Sequence, residues 1–226
     1  MKNDNSDNYS EKFLENLLLG NRQNCSSIAK QYLNNNPSFI DLYEDVFKVS
    51  LYEVGRLWET NKISVATEHL ATAITEGILN ELFDQLISKK RYSKKVIVAC
   101  VENEQHQVGA KMVADTFEMY GWESFFLGTG IPSNELIRYI HDIKPDIIAV
   151  SLSIYFNFTN LIRLLEKLRH EFPELQILIG GQAFSHISPE IVSKLGNVIQ
   201  IGDLHLLKKY IQILNSNFNT NDHGTK

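Results

Sequence analysis

Two patterns of apolar positions divide the chain near residue 90. Over residues 9–90, apolar residues recur every three or four positions, as in Leu70, Ile74, Ile78 and Leu82. This spacing places them on one face of an α-helix. Beyond that region the apolar residues occur in short continuous runs instead. The change of period predicts two domains of different class.

Three interruptions divide the first region into four helical segments. They lie at Gly20, at the run 34–37, which reads NNNP, and at residues 60–62. Ser64 follows the last interruption and is a favourable residue for the N-cap of the next helix. We therefore expect a four-helix bundle over residues 9–90.

The second region follows a short charged linker, KKRYSKK, and alternates β-branched or aromatic runs with helical segments. The five runs are KVIVACV, ESFFLG, DIIAVSL, LQILIGG and NVIQI. Strands separated by helices predict a parallel sheet with right-handed crossovers. The expected fold class is α + α/β, with the N-terminal four-helix bundle followed by a Rossmann-like (flavodoxin-like) five-stranded parallel sheet over residues 95–215. Residues 1–8 and 216–226 are polar and are expected to be disordered.

Charge and composition exclude several classes of function. The chain has 22 Lys and Arg against 27 Asp and Glu, a net charge of −5, and no basic cluster. Direct nucleic-acid binding needs a concentrated positive face and is not expected. The two cysteines are far apart, which argues against a disulfide framework or a zinc site. A polar N-terminus and the absence of a long apolar run predict a cytoplasmic protein without a membrane segment.

The loop after the first predicted strand carries the first candidate site residues. A G-x-G-x-x-G dinucleotide motif is absent there, and Glu104, His106 and Gly109 form E-x-H-x-x-G instead. A carboxylate two residues from an imidazole can bind one ring nitrogen and fix the tautomer, so that the other nitrogen coordinates a metal. Alone, this pattern also suits an ordinary surface histidine.

Two further features fall at the same predicted edge of the sheet. Ser151 ends the third strand run, and 41 residues separate it from Gly109. Gly180 and Gly181 end the fourth run, and 26 residues separate Gly180 from Ser153. A small hydroxyl and two adjacent glycines allow an extended ligand to lie close to the backbone. Ligands of doubly wound sheets gather at this edge.

The series E-x-H-x-x-G, S-x-x and G-G resembles the cobalamin-binding Rossmann-like domain of methionine synthase, corrinoid carriers and mutases. The resemblance covers residues 95 to about 214. It implies base-off cobalamin, with His106 as the lower cobalt ligand and Glu104 orienting it. Ser151 and the glycine pair would line the pocket for the nucleotide tail. The family has leucine where this chain has Ser153, so the floor of that pocket is expected to differ.

The helical region carries a second motif. Trp58 precedes the pair Glu68-His69 by nine intervening residues, which resembles the W-x9-E-H motif in the C-terminal light-sensing half of CarH-type photoreceptors. The resemblance implies that Trp58 and Glu68 pack around the upper adenosyl group. His69 would become the upper cobalt ligand after green or blue light has broken the cobalt–carbon bond. A core tryptophan and a solvated first helical turn are the alternative explanation of these residues.

These resemblances lead to a functional hypothesis with two alternatives. The hypothesis is a cobalamin photoreceptor, a sensor rather than an enzyme, with adenosylcobalamin bound between bundle and sheet; methyl- and hydroxocobalamin are the other forms considered. CarH-type repressors have a winged helix-turn-helix, and the sequence is expected to contain no counterpart, because its first ninety residues are assigned to the bundle. Output is therefore expected through a homo-oligomer, or through a transcriptional regulator or other signalling protein. The alternatives are a corrinoid methyl carrier of a methyltransferase system and a cobalamin storage module.

Overall fold

The structure is a computed structural model that describes residues 4–221, and the side chains of residues 8–217. Two compact units divide between Leu86 and Ile87, and each is described by itself. In the described residues, no helix has the length and apolarity needed to cross a bilayer.

The first unit is helical throughout. Its elements are α1 (Asp4–Leu18), α2 (Arg22–Asn35), α3 (Phe39–Asp41), a π-helical segment (Leu42–Lys48), α4 (Val49–Glu59) and α5 (Val65–Leu86). Because α3, the π-helical segment and α4 follow one another without a break, the described part of this unit consists of four helical rods. The predicted four-helix region is confirmed. Its core includes Phe13, Tyr43, Phe47, Ile78 and Leu82, all fully buried.

The interruptions of the helical pattern correspond to real helix ends. Gly20 follows α1 with a φ of +68°, a left-handed conformation that glycine adopts without strain. The hydroxyl of Ser64 accepts a hydrogen bond of 3.1 Å from the amide of Thr67, so Ser64 caps α5 as predicted.

The second unit is an α/β domain. Its strands are β1 (Lys95–Cys100), β2 (Glu123–Gly128), β3 (Ile147–Ser151), β4 (Gln176–Gly180) and β5 (Ile199–Gln200). Its helices are α6 (Val108–Met119), α7 (Ser133–Ile143), α8 (Phe158–Glu171), α9 (Pro189–Ser193) and α10 (Leu204–Asn221). Short 3₁₀ turns occur at Tyr155–Asn157 and Gln182–His186.

The described strands form one parallel five-stranded sheet in the order β2-β1-β3-β4-β5. This is the order of flavodoxin-like sheets, so the predicted fold class is confirmed. The order reverses at β1 and β3, where the chain leaves the sheet in opposite directions and creates a crevice at the carboxyl edge. The candidate residues of the sheet unit follow β1, β3 and β4.

Helices cover both faces of the sheet. Ile97, Ile148 and Ile177 share a buried core with residues of α7 and α8. On the other face α6 packs on β1 and β2, and α10 packs on α6. Burial on both faces explains why the strands are continuous apolar runs rather than alternating ones.

The predicted disorder at the two ends is wrong where the structure describes them. Helix α1 already begins at Asp4, and α10 continues to Asn221; residues 1–3 and 222–226 lie outside the described residues. Buried Phe13 and Leu17 anchor α1. Asn215 anchors α10, because its side chain accepts a hydrogen bond from Trp122 Nε1 and donates one to the carbonyl of Tyr120. Composition alone does not reveal such long-range contacts.

Candidate functional site

The loop between β1 and α6, residues 101–107, is centred on the carboxylate of Glu104. We call it the His loop. One oxygen of Glu104 accepts hydrogen bonds from the amides of Gln105 (3.0 Å) and His106 (3.1 Å). The other accepts from the amides of Ser153 and Ile154, both at 2.9 Å. The Glu104 side chain is 0% exposed, so these hydrogen bonds, and not water, stabilise its negative charge.

The surroundings of Glu104 keep it ionised. Burial raises the pKa of a carboxyl group, but the hydrogen bonds from the His106 ring and from the amides of Ile154, His106 and Ser153 act in the opposite direction. Their combined effect lowers the pKa of Glu104 to about 2. Glu104 is therefore an acceptor of hydrogen bonds at every pH near neutrality.

The imidazole of His106 is held by this carboxylate. Its Nδ1 lies 2.6 Å from Glu104 Oε1, the contact that the sequence predicted. A carboxylate on Nδ1 fixes the tautomer in which Nε2 carries the lone pair, which is the arrangement of histidines that ligate metals. The side chain of His106 is 53% exposed. The arrangement supplies an oriented nitrogen donor at the crevice.

The thiol of Cys100 also bonds the His loop. Cys100 ends β1 and is buried, and its Sγ donates a hydrogen bond to the carbonyl of His106 over 3.6 Å. Burial, and then the negative charge of Glu104, raise the pKa of Cys100 to about 12. Cys100 is therefore a protonated hydrogen-bond donor and not a nucleophile or a metal ligand.

Two asparagines at the start of α8 also contact the His loop, and neither belongs to a motif recognised in the sequence. Asn157 donates to the carbonyl of Asn103 over 3.4 Å, and Asn160 donates to the carbonyl of Glu102 over 3.1 Å. The carboxylate of Glu102 accepts from the amide and hydroxyl of Ser133 at the start of α7. One sequence signal could have identified them. Two asparagines lie three residues apart at the start of a predicted helix, shortly after the end of a predicted strand.

The remaining predicted residues of the sheet unit lie around this loop. Ser151 ends β3 and pairs in register with Gly180. A Cβ on Gly180 would lie 2.8 Å from the carbonyl oxygen of Ile201, and one on Gly181 would lie 2.2 Å from that of Leu152. The chain's own backbone therefore requires both glycines. Their predicted role beside a nucleotide tail stays a prediction.

The predicted residues of the helical unit are Trp58 and a second Glu–His pair. Trp58 lies near the end of α4 and is half exposed, and Glu68 and His69 lie in the first turns of α5. His69 Nδ1 is 2.5 Å from Glu68 Oε2, and the hydroxyl of Thr72 donates to Glu68 Oε1 over 3.0 Å. His69 is 74% exposed. This cluster also presents an imidazole that is oriented by a carboxylate.

Three features of the sheet unit fit a large metal-centred cofactor. His106 offers an imidazole nitrogen, a donor of the kind that cobalt binds. A Cβ on Gly109, at the start of α6, would meet no atom within 4 Å, so a ligand can approach the backbone there. Tyr155 and Phe156, beyond β3, expose apolar rings, and Phe156 is 91% exposed. Together these residues would suit a corrin ring.

Comparisons with known proteins agree with this chemistry. Two family models, each described as a B12 binding domain, match residues 94–203 and 9–82. The transcriptional repressor CarH of Myxococcus xanthus is 26% identical over 143 residues, 62% of this chain and 47% of that protein. Trimethylamine corrinoid protein 1 of Methanosarcina acetivorans is 23% identical over 163 residues, 70% of this chain and 75% of that protein.

A solved structure shows the same fold. The monomethylamine corrinoid protein of Methanosarcina barkeri matches with a TM-score of 0.78 and 15% identity, over 92% of this chain and 99% of that one. The match to CarH spans only about half of that repressor's length. The chain contains two B12 binding domains, is homologous to parts of the CarH and CarA repressors and to corrinoid proteins, and takes a cobalamin or related corrinoid as its cofactor.

Proposed function

We propose that this protein is a cobalamin-dependent light sensor that signals through a change in self-association or through a partner protein. The observation that carries the proposal is the Glu68-His69 pair, because a methyl carrier has no need of a second oriented imidazole. His69 is exposed and its Nδ1 is paired with Glu68, so Nε2 is the nitrogen that would bind a metal. The similarity to the CarH repressor supports the same reading.

Bound adenosylcobalamin would supply a cobalt–carbon bond that visible light breaks. His106, oriented by Glu104, would be the lower ligand of the cobalt. Trp58 and Glu68 would contact the upper group in the dark. His69 would bind the cobalt after that group has left, since an imidazole nitrogen is a donor that suits cobalt. A new bond to α5 would bias the helical unit towards a second conformation, which a partner or a second copy could read.

The proposal is tested by absorption spectra and size-exclusion chromatography. The protein is loaded with adenosylcobalamin in darkness and measured before and after green light. We expect an illuminated spectrum of bis-imidazole cobalt in the wild type, accompanied by a change in elution volume. His69→Ala should give a spectrum with water in place of the upper imidazole.

A matched control is available in the sheet unit. His170 is also exposed and also lies beside a glutamate, with its Nδ1 3.1 Å from Glu171 Oε1. His170→Ala should behave as the wild type does. If the wild type and His69→Ala give the same illuminated spectrum, His69 does not capture the cobalt and the sensor mechanism fails.

A corrinoid methyl carrier is the second candidate. It is favoured by the alignment with the trimethylamine corrinoid protein, which covers 75% of that protein against 47% of CarH. In this case the protein loaded with methylcobalamin would transfer its methyl group to a thiol in darkness when a methyltransferase is added. Loss of His69 would leave that rate unchanged.

A further inference from the structure

The His loop is attached to one short neighbouring segment by four hydrogen bonds. This segment, residues 153–160, links β3 to α8, and we call it the β3–α8 segment. Its donors are the amides of Ser153 and Ile154 and the side chains of Asn157 and Asn160. Their acceptors belong to three consecutive residues of the His loop, listed here as the Glu104 carboxylate, the Asn103 carbonyl and the Glu102 carbonyl.

These hydrogen bonds compensate for an unfavourable backbone conformation in the His loop. Asn103 has a φ of +69°, in the left-handed region that costs free energy for a residue with a side chain. Such a conformation persists when its surroundings hold it in place. The hydrogen bond from Asn157 acts on this residue directly, and that from Asn160 acts on the residue before it.

The two asparagines are placed so that both can hold the His loop in this conformation. Asn157 is buried, and Asn160 lies three residues further, so both side chains project from the same side of the first turn of α8. They donate to the carbonyls of neighbouring residues, at 3.4 Å for Asn157 and 3.1 Å for Asn160. Together with Glu104, they connect the His loop to the β3–α8 segment, while Cys100 bonds the carbonyl of His106.

We infer that Asn157 and Asn160 are positioning residues for His106, and that the β3–α8 segment holds the His loop in its ligand-binding conformation before any cofactor arrives. The inference rests on the proposed role of His106 as the lower ligand. Its consequence is preorganisation: the imidazole is placed in advance, so corrinoid binding need not order the loop.

The first test uses the protein without cofactor. Hydrogen exchange of peptides that cover residues 101–107 is compared in the wild type, in Asn157→Ala/Asn160→Ala and in each single variant. The double variant should exchange roughly thirtyfold faster in this loop, since the two hydrogen bonds from the asparagine side chains, about 2 kcal/mol together, are lost. Asn134→Ala is the matched control, because Asn134 is exposed at the start of α7 and its side chain bonds Lys167 instead of the His loop.

The second test reads cobalt ligation directly. Protein labelled with ¹⁵N-histidine is loaded with cobalamin and reduced to the cobalt(II) state, and the nitrogen coupling is measured by electron paramagnetic resonance. The label separates a protein imidazole from the cofactor's own base. The double variant and the isosteric Asn160→Asp should lower the ratio of histidine-bound to histidine-free cobalt by about tenfold. Asn134→Ala should leave it unchanged.

The outcomes separate this inference from the proposed ligand. If the wild type shows no ¹⁵N coupling, His106 is not the lower ligand, and the exchange experiment alone then decides whether the β3–α8 segment holds the loop. If the wild type shows coupling and the asparagine variants keep both the coupling and slow exchange, the inference is overturned. Thermal destabilisation without either change would mean that the asparagines serve only the fold, and would overturn it equally.

Discussion

The two Glu–His pairs of this protein share their chemistry but differ in their surroundings. Glu104 is fully buried and accepts hydrogen bonds from the ring of His106 and from four backbone amides in two loops. Glu68 lies on a helix surface and accepts from its neighbour His69 and from Thr72 one turn further on. A buried carboxylate at the centre of a network orients its histidine permanently. The Glu68–His69 pair orients its histidine through contacts on one helix alone, and the His69 side chain is 74% exposed.

Removing the carboxylates of Glu104 and Glu68 one at a time should give the largest difference in stability between the two sites. Glu104→Ala leaves four backbone amides and an imidazole without their acceptor, and should lower the free energy of unfolding of the sheet unit by about 3–5 kcal/mol. Glu68→Ala should cost the helical unit less than about 1 kcal/mol. Urea unfolding, followed by hydrogen exchange of peptides from β1 and from α5, reads the two units separately. Equal losses would contradict the comparison.

Acid should reveal the buried carboxylate. The pKa of Glu104 falls from its ordinary value of 4.5 to about 2 in the folded protein. Because the folded pKa is below the unfolded one, the stabilisation is complete above pH 4.5 and is lost as the pH falls towards 2. The difference in unfolding midpoint between the wild type and Glu104→Gln should therefore shrink over this range. A difference that stays constant from pH 7 to pH 2 would show that the Glu104 charge is not involved.

Alanine in place of glycine should separate the tightly packed crevice from the tolerant helical unit. Gly181 has a φ of +116° and a Cβ there would meet the backbone of Leu152. Gly181→Ala should destabilise the sheet unit by at least about 1–3 kcal/mol, measured by thermal unfolding. Gly55 lies in α4 with no atom within 4 Å of its Cβ position. Gly55→Ala should stabilise the helical unit by up to about 1 kcal/mol.

The smallest effect is expected at the Glu68–His69 pair. Thr72→Val keeps the shape of the side chain but removes the hydrogen bond to Glu68, a loss of about 0.5–1 kcal/mol. After illumination of the cobalamin-loaded protein, the absorption change assigned to His69 should develop about two- to fivefold more slowly. Thr67→Val is a control one turn earlier on the same helix. If both substitutions slow the absorption change equally, the hydrogen bond from Thr72 does not help to orient His69.

The sequence predicted much of this architecture because its signals are local. The change of apolar period near residue 90 marks the passage from helices to alternating strands and helices, and Ser64 caps α5 as its position suggested. The Glu104–His106 contact was also accessible, since two residues of a tight loop cannot lie far apart. The helical ends of α1 and α10 were missed because their anchors are distant: Asn215 bonds the side chain of Trp122, 93 residues away in sequence.

What the sequence determined by itself was the fold class, the strand runs and the two Glu–His motifs, all of which depend on residues close together along the chain. Only the tertiary structure decided that Glu104 joins two loops, that Asn157 and Asn160 bond the His loop, and that the backbone itself requires Gly180 and Gly181. The physical reason is that parallel strands bring their carboxyl ends together after long crossovers. A buried polar group must then find its partners across that gap, where no short-range pattern records them.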